Sequence, residues 1–152
     1  KNIICVAPDV GGTERARALG KLLEVGLAIV DKRRPSPGKS KVMNVIGNVN
    51  GKTCIIVDDI IDSGGTIVNA AKALKDRGAK EVYVYITHGV LSGEAVEKIK
   101  KSVIKKLVIT DTIDNNDRLK NAKNIEVLTI SNLMGEAIKR ISNSTSVSDL
   151  FK

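Results

Sequence analysis

Ile55-Ile56-Val57-Asp58-Asp59-Ile60-Ile61-Asp62-Ser63-Gly64-Gly65-Thr66 is an apolar run that meets two adjacent carboxylates, then a third, then Ser-Gly-Gly-Thr at the head of a helical pattern. That order predicts a buried parallel strand over residues 53–59, a tight loop and a helix N-terminus. Gly64 and Gly65 can both take positive φ, which lets backbone amides face outward. Such a loop at a helix N-terminus is a nest for an anion, most often phosphate. Asp58 and Asp59 at the strand end suit sugar hydroxyls or a divalent cation. A phosphate and a polyol held side by side make a phosphorylated sugar. The same letters also fit a plain turn, with Asp62 or Ser63 capping the next helix. Two consecutive acids closing a buried strand weigh against the plain turn, because a desolvated charge needs a partner.

A chain of 152 residues predicts one domain, 1–152, around a single core. Hydrophobic residues make up 42%, in runs too short for a bilayer span, so a soluble protein without membrane contact is expected. Lys1-Asn2 runs straight into Ile3-Ile4-Cys5-Val6-Ala7 with neither initiator Met nor secretory signal, which suggests a fragment or processed product of a cytoplasmic protein. Cys5 and Cys54 lie in apolar runs without metal-type pairing, as reduced core thiols would. The formal charge of +8 invites nucleic acid, yet Tyr83, Tyr85 and Phe151 are the only aromatics and offer no stacking platform. Small polyanions explain the charge as well, and no nucleic-acid partner is expected.

In chain order, residues 3–7 read as a buried strand and Pro8-Asp9-Val10-Gly11-Gly12-Thr13 as the loop after it. Asp9 is then either an ordinary turn acid or a carboxylate at the strand end where open α/β sheets bind ligands. Residues 14–23 carry helical spacing, with Ala16, Leu19, Leu22 and Leu23 on one face. After a strand at 27–30, two prolines, a glycine and clustered cations predict a long mobile loop over 31–42, which either solvates the surface or closes over phosphoryl groups. Gly38-Lys39-Ser40 mimics the end of a Walker A motif, but Arg33 stands where its first glycine belongs. A strand at 43–49, Asn50-Gly51 and a strand at 53–59 read as a hairpin. A helix at 66–77 buries Ile67, Ala70, Ala71 and Leu74 and stops at Gly78.

The remainder reads as a strand at 81–87, a loop at 88–93, a helix at 94–101, a strand at 106–110, an acidic loop at 111–117 and a strand at 125–130. A last helix through Ile141 starts at a Ser131 or Asn132 cap, and a polar tail fills 142–152. His88, the only histidine, is more often a satisfied polar residue than a catalyst in such a place. Alternating strands and amphipathic helices predict an α/β fold, a doubly wound and mostly parallel sheet flanked by helices.

The central stretch resembles the phosphoribosyl pyrophosphate motif of the type I phosphoribosyltransferase fold. The resemblance extends through Ala7–Gly12, Asp31-Lys32-Arg33-Arg34-Pro35, Asp58–Thr66, Thr87-His88-Gly89, Ser92-Gly93, Asp111-Thr112-Ile113 and Ser146-Val147-Ser148-Asp149-Leu150-Phe151, in that order. Together these look like the C-terminal half of the ribose-phosphate pyrophosphokinases, whose members are about twice as long.

That resemblance implies transfer of the diphosphoryl group of ATP to the 1-hydroxyl of ribose 5-phosphate, with Mg2+ as cofactor, in nucleotide biosynthesis. It implies that Asp62, Ser63, Gly64, Gly65 and Thr66 hold the 5-phosphate and that Asp58 and Asp59 bind ribose hydroxyls. Asp9 would be a magnesium ligand, and Lys32 and Arg34 would stabilise the transferring group from the 31–42 loop. Ser146 and Ser148 would belong to a regulatory phosphate or ADP site between subunits of a hexamer built from dimers. Ser63 stands where Thr is more usual, and most ATP-binding residues belong to an absent N-terminal half. The chain is therefore expected to bind ribose 5-phosphate without turning over. The rivals are a base phosphoribosyltransferase, a non-catalytic regulatory subunit of the synthetase and a nucleic-acid-binding regulator. A base hood with a stacking aromatic, altered motifs and salt-dependent binding would mark these in turn.

Overall fold

Cys5, Val6, Ala7 and Ile56 are completely buried, as near-continuous apolar strands must be when helices cover both faces of a sheet. In the computed structural model, which describes residues 2–33 and 42–151, these strands are central. The strands are β1 (Ile3–Ala7), β2 (Gly26–Arg33), β3 (Val42–Ile46), β4 (Thr53–Ile61), β5 (Glu81–Gly89), β6 (Lys106–Thr110) and β7 (Ile125–Leu128). The helices are α1 (Thr13–Leu23), α2 (Gly65–Asp76), α3 (Ala95–Lys100), α4 (Asn116–Leu119) and α5 (Ser131–Ser142). The sheet runs β3-β2-β1-β4-β5-β6-β7, parallel throughout except for the antiparallel β2–β3 edge. This is the doubly wound, mostly parallel sheet that the alternating pattern predicts.

The two faces are covered unequally. Cys54 and Ile56 pack with Ile67, Ala70, Ala71 and Leu74 of α2 and Ile99 of α3 in the larger core. Ile55 and Val57, pointing the other way, pack in a smaller cluster with Ala7, Ala16, Leu19, Leu27 and Ile29 under α1. Beyond α1 that face keeps an apolar cavity of about 610 Å³ between Leu19, Leu23, Val57, Tyr85 and Leu128. Helix α5 carries Met134, Ile138 and Ile141 on one stripe, and all three are exposed. Among the described residues no helix is long and apolar enough to cross a membrane.

Several expectations are corrected. Residues 43–49 and 53–59 form no hairpin, because β1 lies between β2 and β4 and β3 pairs only with β2. Asn50-Gly51 still turns, but Gly51 donates its amide to Gly78 O at 2.8 Å, so the turn fastens the start of β4 to the α2–β5 connection. The 31–42 segment is not all loop. Asp31, Lys32 and Arg33 continue β2, paired with Asn44, Met43 and Val42, and the strand geometry outlasts the apolar letters that announce it. For the same reason β4 continues through Ile61 and β5 through Gly89, where register pairs Ile60 with His88. Leu22 is 80% exposed, since it sits off the stripe on which Ala16, Leu19, Gly20 and Leu23 recur at intervals of three and four. The acidic loop ends in the short helix α4, which starts at Asn116 and runs on to Leu119. No side chain of Ser131 or Asn132 caps α5; instead Asp111 Oδ1 accepts the Ile130 amide at 2.9 Å and Thr129 Oγ1 accepts that of Ser131 at 3.2 Å. Cys5 and Cys54 are buried and free.

Candidate functional site

From β1 the chain crosses through α1 to β2, and from β4 it crosses through α2 to β5 on the opposite side. The carboxyl ends of β1 and β4 are therefore the topological switch point, the crevice where open α/β sheets bind ligands. A cavity of about 200 Å³ opens there, lined by Asp9, Asp58 and residues 60–67. Seven of the eight residues expected to hold the sugar phosphate or the metal, namely Asp9, Asp58, Asp62, Ser63, Gly64, Gly65 and Thr66, line it.

The loop is built to present amides. Gly64 is the N-cap of α2 with φ 76°, a left-handed conformation costly for any residue with a Cβ, while Gly65 has no positive φ. Among the described residues no side chain caps α2, and neither Asp62 nor Ser63 plays the plain-turn role. The first-turn amides and the positive end of the helix dipole are left for an anion. Behind the loop, Ile61 O accepts the amides of Val90 and Leu91, and Asp62 O accepts that of Ser92 at 3.1 Å. The segment after β5 thus braces the β4–α2 loop from below.

Asp9 turns the β1–α1 corner: its Oδ1 accepts the Gly12 amide at 3.1 Å. It closes the turn and also lines the cavity. Asp58 Oδ1 accepts the Asp59 amide at 3.0 Å and one nitrogen of Arg15 at 2.6 Å. The other nitrogen of Arg15 reaches Asp59 Oδ2 at 2.9 Å. Burial pushes the Asp58 carboxyl up, against the Asp59 amide and the Arg15 charge, and the nearby Asp59 carboxyl pushes it further. For Asp59, burial pulls upward but Arg15, Asp58 and its own and the Ile60 amides outweigh it, and the net direction is down. Asp59 does not line the cavity; its side chain is 59% exposed beside it.

Arg15 is the residue that sequence reading passes over. It stands 43 positions from Asp58, and only the packing of α1 beside β4 brings them together. Lys32 lies on β2, and Arg34 falls outside the described residues. His88 Nδ1 is 2.9 Å from Thr112 Oγ1, the ordinary satisfied role for a lone histidine. The Ser146 and Ser148 hydroxyls lie 2.9 Å apart on the C-terminal segment and do not line the cavity.

A family model described as phosphoribosyl synthetase-associated domain matches residues 32–152. A ribose-phosphate pyrophosphokinase of Hyphomonas neptunium is 60% identical over 152 residues, which cover 99% of this chain and 49% of that protein. Its namesake from Rhizobium meliloti is 58% identical over 151 residues, with the same coverage of 99% and 49%. The chain spans about half the length of the curated relatives it matches. Among solved structures, phosphoribosylpyrophosphate synthetase from Mycobacterium smegmatis superposes with a TM-score of 0.86 at 34% identity, over 95% of this chain and 46% of that one. Orotate phosphoribosyltransferase from Aeropyrum pernix, with a TM-score of 0.57 at 21% identity over 70% and 57% of the two chains, shares the fold.

Proposed function

Because the chain belongs to the phosphoribosyl synthetase-associated domain family, we propose that it is the ribose 5-phosphate half of a ribose-phosphate diphosphokinase. The complete enzyme transfers the diphosphoryl group of ATP to the 1-hydroxyl of ribose 5-phosphate, giving phosphoribosyl pyrophosphate and AMP. The observation that carries this reading is the convergence of Asp9, Asp58 and residues 60–67 on one cavity at the switch point.

In this reading the Asp62–Thr66 loop takes the 5-phosphate on uncapped α2 amides, and Asp58 and Asp59 accept hydrogen bonds from the ribose hydroxyls. Lys32 and Arg34 supply cations to the transferring group, the charge neutralisation on which phosphoryl transfer depends. Magnesium fits the donor set through Asp9. Among the described residues no three acids, histidines or cysteines cluster as a dedicated cage. Mg2+ does not need one, since it binds through one or two carboxylates, substrate phosphates and water. When bound it would neutralise phosphate charge, while Asp9 itself stays fixed by the Gly12 amide.

The partner half is the absent N-terminal domain. The open apolar cavity beside α1 and the exposed stripe of α5 support a covering partner, since large exposed apolar patches mark interaction sites. Without that half the chain binds sugar phosphate but does not turn over. The paired hydroxyls of Ser146 and Ser148 support a regulatory phosphate site in an oligomer of a cytoplasmic enzyme.

Calorimetry with ribose 5-phosphate and Mg2+ tests the reading. Binding by the parent chain that disappears in the double variant Asp58→Ala, Asp59→Ala is the expected result. Equal binding by both would refute it.

A further inference from the structure

Consecutive residues of a strand send their side chains to opposite faces of the sheet. In β4 this holds for Cys54 and Ile56 in the larger core against Ile55 and Val57 in the smaller. By that alternation Asp58 and Asp59 should diverge, one toward α2 and the other toward α1. Two neighbouring carboxylates also repel each other, and Asp58 is largely shielded, with a side-chain exposure of 17%. Both tendencies oppose a sugar site in which two acids must act on one ring.

A single guanidinium overcomes them. Arg15, in the first turn of α1, places one nitrogen 2.6 Å from Asp58 Oδ1 and the other 2.9 Å from Asp59 Oδ2. The planar fork of arginine fixes both direction and spacing, which a point charge on a flexible stem cannot do. It engages one oxygen of each carboxylate. Asp58 lines both the phosphate-loop cavity and the apolar cavity on the α1 side, and Arg15 lines only the latter. The arginine therefore works from behind the acids, without standing in the phosphate-loop cavity.

We propose that Arg15 is a positioning residue that forks across Asp58 and Asp59 and so sets the site's preference for a sugar phosphate bearing vicinal hydroxyls. The proposal rests on the reading of the two acids as ribose ligands given above. A site arranged to hydrogen-bond a hydroxyl discriminates against an analogue lacking it, because its polar groups are then left unpaired. Loss of the fork should lower that discrimination and leave the phosphate loop untouched.

The test is calorimetric titration of this chain and of Arg15→Ala and Arg15→Lys with ribose 5-phosphate, 2-deoxyribose 5-phosphate and inorganic phosphate. The parent should prefer ribose 5-phosphate to the deoxy sugar. Arg15→Ala should bind ribose 5-phosphate about tenfold more weakly, the worth of roughly one charged hydrogen bond, with inorganic phosphate unchanged. Arg15→Lys keeps the charge but cannot bridge both acids, so its preference should stay close to that of Arg15→Ala. A parent that binds ribose 5-phosphate no better than phosphate overturns the sugar reading and this inference together. A parent preference that survives in Arg15→Ala, or returns in full in Arg15→Lys, overturns the role of Arg15 alone. So does a uniform weakening for all three ligands, which would mark a general effect on the fold.

Discussion

Gly89 at the end of β5 lies directly against Ile109 of β6: a Cβ at Gly89 would stand 2.6 Å from Ile109 Cδ1 and 3.3 Å from its Cβ and Cγ2. Ile109 is completely buried and β-branched, so it has little freedom to withdraw. Gly89→Ala should therefore destabilise the fold by about 1–3 kcal/mol, the usual cost of overpacking, read as a lower urea midpoint at unchanged slope. Ile109→Val removes the offending Cδ1. The double variant should lose less than the sum of the two single changes, and strict additivity would show that the contact is not the cause.

Gly64 and Gly65 make a second pair with opposite expectations. A Cβ on Gly64 meets nothing closer than Ala95 at 3.7 Å, so the obstacle is its φ of 76° and not space. Gly64→Ala should cost about 1–2 kcal/mol for the left-handed backbone and weaken inorganic phosphate binding, because relief of the strain re-aims the α2 amides. Gly65 lies inside α2 without positive φ, and its Cβ would meet only Ser63 Oγ at 3.9 Å. Gly65→Ala should be close to neutral in stability, and Ala is the better helix former. Equal losses in the two variants by thermal denaturation would exclude this account of the loop.

Cys54 gives the chain an alkaline limit. Burial pushes its thiol from the ordinary value of 9.0 to about 11, against the opposing charges of Lys52 and Lys75. The folded state favours the neutral thiol, so an unfolded chain ionises first. The stability from this group is complete below the unfolded value and is lost as pH rises from about 9 to about 11. The difference amounts to on the order of 2 kcal/mol. Denaturation of the parent and of Cys54→Ala across that window should show their stability gap closing with pH. A constant gap would mean that the thiol does not ionise differently on unfolding.

Much of this was legible in the letters because local physics and the fold agree. Ile55–Val57 could only be a buried strand, and Ser63-Gly64-Gly65-Thr66 before an amphipathic run could only be a loop entering a helix. Asn50-Gly51 makes no hairpin because a turn residue states that the chain turns, not which strands pair afterward; β1 takes the neighbouring place. His88 and Gly89 looked like loop because strand register, not composition, carries β5 past Thr87. Arg15 was invisible for a further reason: an exposed cation on a helix is ordinary, and only the crossing of α1 over β4 gives it partners.

Asp9 separates scaffold from chemistry in one side chain. Its Oδ1 accepts the Gly12 amide, a bond that closes the β1–α1 corner, while the residue also lines the cavity. Asp9→Asn retains a carbonyl oxygen for Gly12 but removes the charge, so the stability change should stay within about 0.5 kcal/mol. If Asp9 holds magnesium, the parent should bind ribose 5-phosphate more tightly with Mg2+ than without it. Asp9→Asn should lose that dependence, with about tenfold weaker binding at saturating Mg2+. Asp9→Ala loses the turn bond as well and should additionally cost about 1 kcal/mol in stability. Thermal denaturation and paired titrations with and without Mg2+ separate the two roles. Undiminished magnesium stimulation in Asp9→Asn would leave Asp9 as a turn residue and move the metal to other oxygens of the site.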